Sequence, residues 1–153
     1  MSQQVILLLT KHSLMTLTAR PLSLPQQAAR YLLAAFLLIA GVGHESFARR
    51  EFQAQVPDWV PMNKDLVVVL SGIVELGMAG ALVVLNRQRV LVGITIAIFL
   101  VLVFPGNMAQ YLHHRDAFGL NSDLARGIRL LFQPVLILWA LWATGAVDAL
   151  RKS

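Results

Sequence analysis

Residues 65–85 read DLVVVLSGIVELGMAGALVVL, and this stretch decides the fold. Apart from Asp65 at its start it carries one charge, Glu75, and a helix of this length covers the roughly 30 Å of a bilayer's hydrocarbon core at about 1.5 Å per residue. Three further apolar blocks flank it, over residues 28–44, 90–112 and 128–147. The first is short for a span and would draw on Gln26 and Gln27 or on local bilayer thinning. Aromatic side chains stand near the expected interfaces: Tyr31, Tyr111, Trp139 and Trp142. The chain's 153 residues leave room for one domain, and 57% hydrophobic against 14% charged lies outside the soluble balance. The sequence therefore predicts an all-α, integral membrane four-helix transmembrane bundle with both termini on the same side and the lipid bilayer as its main partner.

The net charge of +5 would suit nucleic acid if the basic residues shared one exposed face, but they sit between the apolar blocks, so no nucleic-acid partner is expected. Cysteine is absent, which excludes disulfides, thiolate nucleophiles and cysteine-ligated metals or clusters. The side holding both termini and the Arg87, Arg89 turn carries seven basic residues against six on the other, and that tight two-arginine turn favours cytoplasmic termini. Residues 1–27 then form a cytoplasmic tail in which Val5–Leu9 is too short for a signal-peptide core and Pro21 and Pro25 break any surface helix; Met15 is an alternative start. Residues 148–153 form a second cytoplasmic tail. The location this implies is the cell inner membrane of a bacterium, and no feature sets an oligomeric state.

Every predicted helix brings a polar group to the half of the membrane away from the termini. Glu75 lies about ten residues, or roughly 15 Å, into its helix. Asn107, Gln110 and His114 follow an i, i+3, i+7 spacing on one face, Arg129 and Gln133 share a face, and His44 closes the first span. A carboxylate at a helix centre costs roughly 2.5–3.5 kcal/mol on insertion scales, so Glu75 should face the interior and have a partner or a proton. Small neighbours at Ser71, Gly72 and Ala79 would let another helix close on it. Arg129 is the best candidate partner and His44 the next. A static polar clasp and a ligand or proton site are both open readings, with a snorkelling carboxylate behind them. His44, Glu75, Asn107, Gln110, Arg129 and Gln133 form the candidate pocket, and no catalytic or metal site is assigned.

Pro105 and Gly106 should kink or unwind the third span beside Asn107, whereas Pro134 sits near a helix start. In the loop ESFARREFQAQVPDWVPMNK (residues 45–64), Pro57 and Pro61 bracket Trp59, as an interfacial anchor or a lid across the bundle mouth. Asn121 or Ser122 can cap the fourth helix, with Asp123 in its first turn. His113 and His114 point about 100° apart on a helix and cannot serve one metal. A bis-histidine haem between His44 and His114 is conceivable but disfavoured, leaving a quinone as the cofactor-like molecule to consider.

GVGHESF at the end of the first helix, the VPDWVP loop, SGIVELGMAGALVVL and FPGNMAQYL together resemble the DoxX family of small four-helix membrane proteins, from Tyr31 to Thr144. Gly106 stands where alanine is usual, and Glu45 where an aromatic is common. The resemblance implies a link to quinone-linked membrane oxidoreductase systems without assigning catalytic residues. The expected function is an accessory or small-molecule (quinone-like) binding subunit, not an enzyme alone. The alternative is a quinone-reactive subunit of an oxidoreductase complex, working with another membrane subunit. A transporter is disfavoured by a single polar cluster without an internal repeat.

Overall fold

The computed structural model describes residues 20–151, and these are helical with no strand among them. Four long helices form the bundle: α1 (Leu24–Glu45), α3 (Lys64–Val84), α4 (Arg89–Leu112) and α5 (Asp123–Ala143). Two short ones accompany them, α2 (Arg49–Gln53) between α1 and α3, and α6 (Ala146–Leu150) after α5. The four long helices are long and apolar enough to cross a membrane. Their outward faces carry large apolar side chains such as Leu32, Ile39, Leu102 and Leu131, more than 60% exposed, where a water-soluble bundle would place charge.

Three boundaries differ from the sequence expectation. The first helix is not short: Ser23 caps it in a reciprocal capping box with Gln26, and Pro25 falls in the first turn, where a missing N–H costs nothing, so α1 runs 22 residues. The fourth starts at Asp123, five residues before Ile128, because Ser122 accepts from the Ala125 N–H. It stops at Ala143, and Gly145 in the left-handed region (φ 76°) turns the chain into α6. Helix α4 also continues through Pro105 without unwinding. The expectations for residues 1–19 lie outside the described residues.

Helices α1 and α3 pack closely, as do α4 and α5. Gly41 and Gly72 make the first approach possible, since a Cβ on Gly72 would meet the His44 side chain and one on Gly41 the Leu76 side chain. Helix α1 is shifted along the bundle axis toward the termini. Its Arg30 reaches Asn86, beyond the end of α3, while its last turn comes level with the middle of α3. The half around the turn at Asn86–Gln88 is an apolar core that includes Leu33, Leu82, Ile96 and Ala140. Above the sunken end of α1, residues 46–60 fold over the bundle instead of continuing a helix.

Candidate functional site

Where α1 stops short, a cavity of about 680 Å³ opens between the two helix pairs, roofed by Gln55–Val60 of the loop after α2. Such a volume suits a small organic molecule, for which pockets run roughly 300–1,000 Å³. Its walls are mostly aliphatic and aromatic, and they include the outward-facing Ile39, Leu102 and Ile128, so the cavity reaches the apolar flank of the bundle. Five of the polar residues singled out from sequence line it: His44, Glu75, Asn107, Arg129 and Gln133. Gln110 does not. It is 1% exposed and is spent on structure, accepting from Gln55 and donating to the Arg115 carbonyl.

The partner of Glu75 is His44, and the expected pairing with Arg129 is not formed. The axial shift of α1 carries His44 down beside the middle of α3, placing Nδ1 3.0 Å from Glu75 Oε2. The same nitrogen lies 2.9 Å from the Ala40 carbonyl, an acceptor only, so Nδ1 carries its hydrogen there. Glu75 Oε2 is left in electrostatic contact with the imidazole but without an aligned donor, although it is buried. A buried oxygen in that state is an exception to the usual pairing of buried polar groups, and it belongs to a residue of the cavity lining.

Asn107 and Gln133 are clasped to each other. Asn107 donates to Gln133 Oε1 at 2.7 Å, and Gln133 donates to the Leu100 carbonyl at 2.8 Å. That carbonyl is one residue before Val101, whose usual helical donor Pro105 removes, so the neighbouring helix supports the backbone at the weakened turn. Gly106 has its own reason: the Gln55 carbonyl lies where a Cβ would stand, so the roof rests directly on α4.

An aromatic bridge that sequence reasoning missed crosses the cavity's upper edge. The His44 ring stacks on Phe52 at 3.5 Å, Phe52 meets Phe118 edge-on at 4.7 Å, and the Arg129 guanidinium lies 4.5 Å over Phe118. The only sequence signal was an aromatic side chain in each of two polar loops. Phe118 holds its place through a positive φ of 57° and an N–H donated to Glu51. Helix α4 ends at Leu112 and His114 adopts φ 49°, so His114 leaves the face of Asn107 and Gln110 and pairs with Asp123 instead. His44 and His114 are therefore engaged separately, one buried in the stack and one 67% exposed at its side chain.

The roof is fastened by ion pairs. Arg115 donates to the Ala54 and Val56 carbonyls and to Asp58, joining the two loops, and Lys64 holds the other oxygen of Asp58. The hydrogen bond from Lys64 does most to hold the Asp58 carboxyl below its usual range; burial opposes it, and the nearby charge of Arg115 adds to the lowering. Arg49 binds Asp65 through two parallel bonds of 2.6 and 2.5 Å. Trp59 lines the mouth while remaining 73% exposed, so it takes part in the rim without sealing it.

Four helices of membrane-spanning length and composition around a cavity that reaches the bundle's apolar flank are compatible with a multi-pass membrane protein. The chain belongs to the family described as domain of unknown function DUF8561, whose profile matches residues 33–144 and so covers α3, α4, α5, the later part of α1 and every cavity residue discussed above. No curated protein and no solved structure matches it.

Proposed function

We propose that this protein is a multi-pass membrane protein that binds an amphipathic small molecule of quinone-like size in the cavity between its helix pairs. The observation that carries the reading is the cavity itself: about 680 Å³, reached from the apolar flank, with mostly apolar walls interrupted by a few polar groups, among them Glu75, Asn107, Arg129 and Gln133. A molecule dissolved in the bilayer would enter sideways and leave its tail among Ile39, Leu102 and Ile128 while its head met Glu75 and Arg129. On this reading the protein resides in a bacterial inner membrane with cytoplasmic termini and serves as an accessory subunit, in keeping with its likeness to DoxX proteins.

The buried Glu75 oxygen without an aligned donor favours a second reading, in which the His44–Glu75 pair exchanges protons with a bound quinone supplied with electrons by a partner subunit. Thermal melting of the purified chain with decylubiquinone tests the first. The parent should be stabilised, and Val103→Trp, which fills the cavity, should not respond. No stabilisation of the parent would remove the binding reading.

A further inference from the structure

Arg129 is the only arginine or lysine among the residues lining the cavity. The other arginines around this end of the bundle are largely committed: Arg49 to Asp65, Arg115 to Asp58, and Arg126 to Asp116 and Asp123. Arg129 has no hydrogen bond or ion pair among the described residues, and its one contact of note is the Phe118 ring. No carboxylate among the described residues pairs with Arg129. Asp58, Asp65, Asp116 and Asp123 serve those arginines, Glu51 accepts from the Phe118 N–H, and Glu75 lies against His44. A guanidinium presents five donors in a planar fork, and leaving all of them unmatched at the wall of an apolar cavity is costly. The Phe118 ring, with the guanidinium carbon 4.5 Å above it, takes up none of these donors in a conventional hydrogen bond.

We infer that the cavity selects an amphipathic anion, whose acidic head group sits on the guanidinium of Arg129 while its ring or chain occupies the apolar walls. This rests on the cavity-binding reading above and narrows it from size to charge. The cavity's volume suits a single ring system or chain, so the occupant is a free amphipathic acid, an ionised hydroxyquinone for example, rather than a two-chain phospholipid. Arg129 gives the anion what the chain denies it, and the anion gives Arg129 the acceptors it lacks.

A matched pair of probes tests this: an alkyl hydroxynaphthoquinone, ionised at neutral pH, and its neutral methyl ether, titrated against the full chain in neutral detergent by quenching of tryptophan fluorescence. The anion should bind about ten-fold or more tighter than the ether. That preference should vanish in Arg129→Gln, persist in part in Arg129→Lys, and disappear in the parent when acid protonates the hydroxyl group. Equal binding of the two probes by the parent, or an unchanged preference in Arg129→Gln, overturns the anion inference and leaves the cavity reading standing. Binding of neither probe overturns both. Repeating the titration in nanodiscs separates the sources of the head group: if phosphatidylglycerol abolishes binding that phosphatidylcholine allows, the site belongs to lipid head groups and the free-acid assignment falls.

Discussion

The two halves of the bundle solve opposite problems with the same four helices. Toward the turn at Asn86–Gln88, Leu33, Leu82 and Ile96 interlock with essentially no exposure, and a Cβ on Gly93 would run into Thr144, so there is little spare space. Toward the loops, α1 stops early, and the room it vacates becomes a cavity edged by polar groups and covered by a loop. Close packing in the first half fixes the helix axes from which the second can afford to hang a void. The difference teaches that a four-helix bundle gains a cavity by an axial shift of one helix, without adding a fifth.

The sharpest way to break this contrast is to truncate matched residues in each half. Leu82→Ala removes a fully buried side chain from the packed half and should cost about 2–5 kcal/mol of stability. Val103→Ala, on the cavity wall, should cost well below about 1.5 kcal/mol, since its side chain already faces empty space. Thermal melting in detergent reads both, and equal losses would mean that the cavity is packed in solution.

Next in size is the clasp that supports the wall at Pro105. Asn107→Leu leaves Gln133 Oε1 buried without its donor and should cost about 1–3 kcal/mol. Asn107→Leu combined with Gln133→Leu should recover part of that loss, because both members of the pair are then apolar. A double variant no better than the single would show that the Gln133 bond to the Leu100 carbonyl matters more than the pair.

The four long helices were legible in the sequence because their evidence is repetitive: long apolar runs read as long helices, and the helices lie over those runs with some boundaries moved. The polar lining was legible too, since a Glu, an Arg or an Asn inside such a run has few tolerable places to go. What could not be read was which of them meet. The shift of α1 follows from the Gly41–Gly72 approach and from residues 46–60 folding inward, and both depend on contacts between distant segments. Sequence depth alone set His44 at the membrane edge and Glu75 near the middle, which made Arg129 the natural partner; the shift replaced it with His44. Phe52 and Phe118 went unnoticed because nothing local marks an aromatic in a loop as one plate of a stack.

The smallest effect expected is on the roof, and it distinguishes a fastened cover from a passive loop. Arg115→Met removes three contacts between the two loops while keeping an unbranched apolar stem, so residues 54–60 should exchange amide hydrogens faster with no comparable change in α3 or α4. Acid should act in the same direction. The Asp58 carboxyl titrates below its usual range in the folded protein, so its contribution is present above the ordinary carboxylate pKa of about 3.9 and is lost as the pH falls through the depressed folded value. Its carboxylate is largely exposed and screened, so this loss should loosen the roof locally and leave the packed half intact. Below about pH 4, exchange in residues 54–60 of the parent should approach that of Arg115→Met, and the variant itself should respond less to acid because Asp58 has lost one of its two cationic partners. If instead both halves loosen together in acid, the roof and the core are one cooperative unit, and the cavity has no cover that opens on its own.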